Sequence, residues 1–263
     1  MLLKDKIVLV SGIGPGLGQE LAMAAAREGA AGLIICARTA SKLSDCAKAI
    51  AAEGLDTRVL EVPTDIADAA QCANLVSKAE STFGRIDVLL NSAYVPGNFS
   101  PILEADLDSW RQAMDVNLFG TMQLTLEVAR VMKAQGGGSI VMVNTMVTRK
   151  PLQTQGGYGA SKAALLSATQ HLALELGQYN IRVNTTFMGW MWGPPVEGYF
   201  QHAAQETGES VEAMKADVAK NIPLGRIPDD ADCAKAVLML ASDYACVVTG
   251  AGLDVNGGEY LPH

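Results

Sequence analysis

The stretch SGIGPGLG, residues 11–18, decides the fold that this sequence predicts. It directly follows the aliphatic run 7–10 and opens the segment Leu17–Arg27, whose apolar residues have helical spacing. Glycines in this strand-turn-helix context let the backbone turn sharply and approach a pyrophosphate, which binds the amides at the helix N-terminus. The stretch contains no Gly-Lys-Ser/Thr sequence, which argues against an ATP-type phosphate loop. We therefore predict a dinucleotide site to which the turn contributes Gly12, Ile13, Gly14, Gly16, Leu17 and Gly18.

The rest of the chain alternates short aliphatic runs with longer segments of helical spacing. The runs lie at 33–36, 59–62, 88–90, 140–143 and 181–183, and a closing strand is expected at Gly252–Val255. Segments such as 67–83 and 160–176 have apolar residues at helical spacing. This alternation predicts a single α/β domain over residues 1–263, with a parallel sheet covered by helices on both faces.

The composition argues against several classes of partner. The chain has 263 residues, 49% of them hydrophobic and 18% charged, and a formal net charge of -8. A net acid without a basic patch attracts neither nucleic acid nor an anionic membrane surface.

The five cysteines are scattered without paired spacing, so neither a disulfide framework nor a metal site is expected. With no signal peptide or membrane-spanning run evident, we expect a cytoplasmic protein.

The end of the second predicted strand bears on the choice of cofactor. An NAD site usually places a carboxylate there to bind the adenosine ribose, whereas a basic residue accommodates the 2′-phosphate of NADP. This chain has Arg38 at that position, with Lys42 nearby in sequence. NADP(H) is therefore favoured over NAD(H), although an arginine can also stack on adenine without discriminating between the two.

Tyr158 and Lys162 form the pair with the clearest chemical meaning. Residues four apart on a helix project from the same face, so the phenol and the ammonium can reach one cleft. A neighbouring positive charge lowers the pKa of a phenol and makes proton transfer at neutral pH easier. The alternative is a half-buried aromatic residue beside a solvated lysine.

Together these motifs resemble the short-chain dehydrogenase/reductase family over essentially the whole chain. The resemblance also rests on Asp65 after the third run, NSA at 91–93, VNLFG at 116–120 and TGAGLDVNGG at 249–258. It implies a Rossmann-like, doubly wound sheet of about seven strands that binds its ligand at the carboxyl ends of the strands. It also implies an NAD(P)-dependent enzyme that interconverts a ketone and a secondary alcohol.

The resemblance implies a role for each matching residue. Tyr158 corresponds to the proton donor or acceptor, and Lys162 to the residue that binds the nicotinamide ribose and, with the oxidised cofactor, lowers the tyrosine pKa. Asn117 corresponds to a residue that holds a water molecule, Asp65 to one that binds adenine, and Asn91 to one that lines the adenosine ribose. The cofactor site is further expected to include Ile66, Ala93, Gly189 and Met191.

The chain departs from the family pattern around the catalytic pair. Thr145 stands where the family usually has a serine, and its hydroxyl can still orient a substrate oxygen while its methyl narrows the pocket. Alternatively, it merely ends a strand. Tyr94 stands where the family often has a glycine, and Met188 where it often has a proline. Gly193 stands where a threonine commonly contacts the nicotinamide carboxamide. Without that side chain, the contact is left to backbone groups around Met191.

Aromatic residues near the expected nicotinamide end predict a bulky apolar substrate, such as a steroid, terpenoid or aryl ketone or alcohol. We expect an insertion over residues 189–220 to cover the cleft, and Tyr94, Trp190 and Trp192 to contact the substrate along with Thr145. Further candidates for this pocket are Met146, Met191, Tyr199 and Phe200. The alternative is that these residues pack the insertion onto the core or a neighbouring subunit.

Two other functions are weighed against the dehydrogenase. A dinucleotide-binding sensor without chemistry would be expected to have a broken Tyr/Lys/Asn set, whereas the set is complete here. An enoyl reductase would, by family resemblance, have a wider tyrosine-lysine spacing. The resemblance also implies a homotetramer, or a dimer, built on the segments 107–133 and 158–178.

Overall fold

A computed structural model describes residues 1–262 of the chain and contains a seven-stranded sheet. Its strands are β1 Ile7–Ser11, β2 Gly32–Ala37, β3 Arg58–Pro63, β4 Val88–Asn91, β5 Gly138–Thr145, β6 Ile181–Met188 and β7 Gly252–Val255. They are ordered β3-β2-β1-β4-β5-β6-β7, and every neighbouring pair is parallel. This arrangement confirms the predicted Rossmann-like, doubly wound sheet, with all seven expected strands present.

Nine α-helices are present in the described residues. They are α1 Leu17–Arg27, α2 Ala40–Ala52, α3 Ala69–Phe83, α4 Leu107–Met114, α5 Thr121–Gln135, α6 Gly156–Leu176, α7 Pro194–Thr207, α8 Val211–Ala219 and α9 Asp230–Ala241. A π-helical turn, Asp115–Gly120, joins α4 to α5. Among residues 1–262, no helix combines the length and apolar character that crossing a bilayer requires.

The strands place alternate side chains on opposite faces of the sheet, and each face has its own core. Val8 and Val10 of β1 pack in one core, together with residues of α1, α2 and α9. Ile7 and Leu9 pack in the other, together with residues of α3, α5 and α6. Because both faces of the sheet are buried, the strand sequences are continuous aliphatic runs rather than alternating polar and apolar residues.

The strand order places a crevice at the carboxyl edge of the sheet. The chain crosses from β3 to β4, on the other side of β1, so the loops that follow β1 and β4 leave in opposite directions. Ser11 pairs with Asn91 at the ends of β1 and β4, and Thr145 pairs with Met188 at the ends of β5 and β6. Residues that follow these strands therefore meet at one edge.

The expected insertion at 189–220 contains two helices, α7 and α8, rather than an irregular loop. These helices have a small core of their own, separate from the two cores of the sheet. Its buried residues are Phe200, Ile222 and Ile227, with Trp190, Trp192, Val196, Val211, Met214 and Val218 packed around them. Regular structure resumes at Asp230, the first residue of α9.

Candidate active site

A cavity of about 780 Å3 opens at the carboxyl edge of the sheet, below α7. Sixteen of the predicted site residues line it: Gly12, Ile13, Gly14, Leu17, Gly18, Arg38, Asp65, Ile66, Ala93, Tyr94, Thr145, Tyr158, Lys162, Gly189, Trp190 and Met191. Four do not, namely Gly16, Asn91, Asn117 and Trp192. The volume lies within the range typical of small-molecule and cofactor sites.

The glycine turn forms one wall of the cavity. A Cβ atom added to Gly12 would lie 2.4 Å from the Ala93 nitrogen, and one added to Gly18 would lie 2.1 Å from the Gly12 carbonyl oxygen. These two glycines allow the turn to pack against β4 and against itself. At Gly14, by contrast, an added Cβ would meet only the Lys42 side chain, at 3.8 Å. The turn thus leaves space beside the N-terminus of α1, which fits a diphosphate.

Gly16 belongs to the turn but is not among the residues that line the cavity. It precedes α1 as its N-cap, has a φ of 109°, and lies buried beside Pro195 and Asp230. Its positive φ favours glycine, because an L side chain would be strained there. Gly16 therefore shapes the turn, and its contact with a cofactor stays a prediction.

At the far end of the cavity lie the residues expected to bind the adenosine half of a dinucleotide. Arg38 is exposed at the rim and forms no ion pair within residues 1–262. Asp65 is half-buried, and its Oδ1 accepts a hydrogen bond from the Ala67 nitrogen at 3.0 Å. A free guanidinium and a fixed carboxylate thus lie at the same end.

Tyr158, Lys162 and Thr145 meet in the middle of the cavity. Tyr158 and Lys162 lie in the first half of α6, and Thr145 ends β5. Thr145 and Tyr158 both line the cavity, and the Thr145 hydroxyl lies close enough to the Tyr158 phenol to oppose the rise of its pKa. Thr145 Oγ1 accepts a hydrogen bond from the Val147 nitrogen at 3.2 Å. The Tyr94 ring lies 6.1 Å from the Tyr158 ring, centroid to centroid. The two hydroxyls therefore border one space.

In the protein chain alone, burial raises the pKa of the Tyr158 phenol above its ordinary value, Tyr94 raises it further, and the neighbouring Thr145 hydroxyl only partly opposes this. Burial also lowers the pKa of Lys162 to about 8. The Lys162 Nζ donates to the Val143 carbonyl oxygen at 2.9 Å. Desolvation thus disfavours the charged form of both groups, and the lowering of the Tyr158 pKa expected from Lys162 and the oxidised cofactor stays a prediction.

Asn117 and Asn91 are buried behind the cavity wall. Asn117 lies in the π-helical turn, where its Oδ1 accepts from the Val95 nitrogen at 2.8 Å and its Nδ2 donates to the Val95 oxygen and to Ser161 Oγ, both at 2.9 Å. Asn91 Nδ2 donates to Thr125 Oγ1 at 2.9 Å. Both amides hold neighbouring backbone or side chains in place, and the lining of the adenosine ribose by Asn91 stays a prediction.

The predicted aromatic pocket divides into two groups. Trp190 and Tyr199 line the cavity, as do Tyr94, Met146 and Met191. Trp192 packs instead into the small core of α7 and α8, with its ring 5.9 Å from that of Phe200 and the Lys215 ammonium 3.6 Å above it. Trp192 and Phe200 therefore follow the alternative interpretation, in which aromatic residues pack the insertion.

Two parts of the cavity wall were not predicted. One is the loop after β5, where residues 152–155 lie opposite α7. The other is Asp230, the first residue of α9, which no motif in the sequence singles out. Asp230 also accounts for Gly193, because a Cβ at position 193 would lie 1.7 Å from Asp230 Oδ2. A threonine at position 193 cannot coexist with this arrangement.

The chain combines a parallel sheet, a glycine turn, and a tyrosine and a lysine four residues apart in the cavity at the carboxyl edge of the sheet. These features are typical of a class of dinucleotide-dependent oxidoreductases. The family model described as enoyl-(acyl carrier protein) reductase matches residues 12–259. An L-rhamnose 1-dehydrogenase (NAD(P)(+)) of Sphingomonas is 34% identical over 99% of this chain and 98% of its own. A short chain dehydrogenase/reductase of Aspergillus oryzae, astE, is 31% identical over 98% and 96%.

The similarity extends to three dimensions. The structure of L-sorbose reductase from Gluconobacter frateurii with NADPH and L-sorbose superimposes with a TM-score of 0.94, covers 100% of this chain and 99% of its own, and is 27% identical. The chain belongs to the short-chain dehydrogenase/reductase family. The predicted family, fold and enzyme class are confirmed.

Proposed function

We propose that the protein interconverts a ketone and a secondary alcohol by hydride transfer, using NAD(P)(H), with Tyr158 as general acid and base. The observation that carries this proposal is that Tyr158, Lys162 and Thr145 line the same cavity as the glycine turn. Two hydroxyls that border one space can bind a single substrate oxygen.

The chain's own residues account for the proton side of the reaction. A bound nicotinamide supplies or accepts the hydride at the substrate carbon. In the direction of reduction, the Tyr158 phenol gives its proton to the substrate oxygen, and the proton is replaced from solvent. Thr145 orients the same oxygen through its hydroxyl. Lys162 holds a buried positive charge one helical turn from the phenol and favours the phenolate that remains.

We propose NADP(H) as the preferred cofactor. The exposed guanidinium of Arg38 at the adenosine end has no carboxylate partner among residues 1–262, and the side chain of Lys42 lies beside Gly14. Both are free to pair with a 2′-phosphate, and an arginine can do so with two parallel hydrogen bonds. Asp65 and Ile66 would contact the adenine.

The wall that faces Tyr158 supports an apolar substrate of ring size. Tyr94, Trp190 and Tyr199 contribute aromatic faces to it, and Met146 and Met191 add adaptable apolar surface. We therefore propose a steroid, terpenoid or aryl ketone or alcohol. The relatives named for L-rhamnose and L-sorbose are a reason to include sugars in any substrate panel.

We also propose a cytoplasmic homotetramer, or a dimer. Large apolar side chains are exposed on the π-helical turn and on α5 and α6, including Phe119, Leu126 and Leu174. Such residues on long neighbouring helices suit contacts with a second copy of the chain. All five cysteines are unpaired, and four of them are buried, which fits a reducing compartment.

The experiment that tests the function compares Tyr158→Phe with the wild-type enzyme. We expect the variant to bind NADPH with unchanged affinity and to lose about 10²–10⁴-fold in kcat, because it keeps the ring but has no proton to transfer. Steady-state rates over a panel of steroid, aryl, terpenoid and sugar ketones, together with an enoyl thioester, provide the measurement.

Tyr94→Phe is the matched control for this experiment, since Tyr94 lines the same cavity but lies on the loop after β4, away from the Tyr158–Lys162 pair of α6 in the chain. It should alter KM more than kcat. Ketone turnover by Tyr158→Phe at the parent rate would remove Tyr158 from the mechanism. Tight NADPH binding with no turnover of any substrate by the wild-type protein would favour a dinucleotide sensor.

A further inference from the structure

Asp230 is a buried carboxyl group without a partner at the wall of the cavity. The residue is 7% exposed, and its Oδ2 forms no hydrogen bond in the structure. It nevertheless lines the same cavity as the glycine turn. A buried carboxyl oxygen without a hydrogen bond costs free energy, so its retention at a cavity wall points to a ligand.

The position of Asp230 Oδ2 identifies the part of the ligand it faces. It lies 3.1 Å from the point where a Cβ of Gly16 would be, and Gly16 is the N-cap of α1. It also fills the space of the side chain that residue 193 lacks. The carboxyl group is thus wedged between the N-terminus of α1 and the segment that leads into α7, where a diphosphate would bind.

The surroundings of Asp230 disfavour its charged form. Burial raises the pKa of Asp230, and with the contributions of the Glu20 carboxylate on α1 and the Asp229 carboxylate before α9 it reaches about 6. The other titratable groups around it are Tyr94, on the loop after β4, and the Cys233 thiol on α9, while α7 contributes the apolar Pro195. Arg226 pairs with Asp229 and Asp232 rather than with Asp230.

We propose that Asp230 is a further cofactor-binding residue, whose carboxyl group carries a proton and donates a hydrogen bond to the diphosphate of the bound dinucleotide. This inference rests on the proposed function, because it requires a dinucleotide in the cavity. An ionised Asp230 beside a diphosphate would repel it, whereas the neutral acid supplies a donor. Binding therefore takes up one proton from solvent when Asp230 starts out ionised.

ADP-ribose is the appropriate probe, since it has the diphosphate but neither nicotinamide nor a 2′-phosphate that titrates near pH 6. Isothermal titration calorimetry from pH 5.5 to 8, in buffers of different ionisation enthalpy, counts the protons taken up. For the wild-type protein we expect uptake approaching one proton above pH 6, with Kd rising by at most about tenfold per pH unit.

Asp230→Asn carries a permanent neutral donor, so it should bind ADP-ribose without proton uptake and with a Kd that hardly changes with pH. Asp217→Asn, at an exposed carboxylate of α8, is the control and should keep the wild-type proton uptake. Asp230→Ala, which has no donor, should bind more weakly than Asp230→Asn at every pH.

Binding of ADP-ribose to the wild-type protein without proton uptake would overturn the role of Asp230 and leave the proposed function standing. Weaker binding of NADH but not of ADP-ribose by Asp230→Asn would also overturn it, and would indicate an acceptor for the nicotinamide carboxamide instead. Failure of ADP-ribose to bind at any pH would overturn the proposed function together with this inference.

Discussion

At the scale of single residues, desolvation affects the pKa values of Tyr158 and Lys162 more than their closeness in the chain does. Tyr158 and Lys162 are arranged as their spacing predicts, yet burial raises the pKa of the phenol and lowers that of the ammonium. The Lys162 ammonium turns to the Val143 carbonyl for its hydrogen bond. Near neutral pH the pair is therefore a neutral phenol beside a protonated ammonium, and the phenolate must be stabilised by what binds in the cavity.

Lys162 gives a direct test of this view through the pH dependence of stability. Its pKa is lowered from 10.5 to about 8 in the folded protein, which corresponds to a destabilisation of about 3 kcal/mol while the group is protonated. Between pH 8 and 10.5 the unfolded chain binds more protons than the folded one, so the free energy of unfolding rises with pH. Below pH 8 this contribution is constant.

We expect Lys162→Met to abolish that rise, as measured by urea unfolding at pH 7 and pH 10. Lys42→Met, a change at an exposed lysine, should keep the wild-type profile. An identical pH profile for Lys162→Met and the wild-type protein would contradict the assigned burial.

Arg38 is the residue that tests cofactor choice. Arg38→Asp removes a partner of a 2′-phosphate and adds a repelling carboxylate, so the Kd of NADPH should rise by about 10–100-fold while that of NADH changes little. Fluorescence titration with both cofactors measures this difference. Equal weakening of NADPH and NADH would show that Arg38 stacks on adenine without reading the phosphate.

At the scale of elements, the helices α7 and α8 behave as a unit added to the sheet. Their small core is distinct from the two cores that flank the strands. Phe200 is its centre, 2% exposed, with its ring centroid 5.7 Å from those of both Trp190 and Tyr199. A unit with so few buried contacts can open without unfolding the sheet.

Phe200→Ala should therefore loosen α7 and α8 selectively. Large-to-small changes at buried phenylalanines cost about 3–5 kcal/mol in well-packed cores, and here that cost falls on the local unit. Hydrogen exchange followed by mass spectrometry should show faster exchange in α7 and α8 and little change in β1, β4 and β5. Tyr199→Ala, at a residue 55% exposed, is the control and should change exchange less. Uniformly faster exchange throughout the chain would argue against a separate unit.

At the scale of the whole molecule, α5 and α6 each expose a large apolar side chain to solvent. Leu174 on α6 is 80% exposed and Leu126 on α5 is 43% exposed. If the protein assembles through these helices, as proposed, a charge at Leu174 would be buried without a partner in the interface.

Leu174→Glu should accordingly shift the protein to smaller species in sedimentation velocity experiments. Tyr244→Glu, at a residue 85% exposed after α9, should leave the assembly unchanged. A wild-type protein that sediments as a monomer would refute the proposed assembly, and an unchanged Leu174→Glu oligomer would place its interface elsewhere.

The sequence by itself determined the sheet and its seven strands, and sixteen of the twenty predicted site residues line the cavity. These features depend on local patterns: aliphatic runs long enough for buried strands, a glycine turn at the first strand end, and residues that follow strands meeting at one edge. Gly12, Gly18, Thr145 and Tyr158 could be assigned because each lies at a fixed distance from such a pattern.

Only the tertiary structure decided which side chains face the cavity and which support it. Trp190 and Trp192 are alike in sequence and both pack against the small core of α7 and α8, yet only Trp190 also lines the cavity. Asn91 and Asn117 use their amides inside the protein. Asp230 occupies the space left by Gly193 across a long separation in the chain. Contacts of this kind depend on how distant elements pack, and no local period or spacing in the sequence reports that packing.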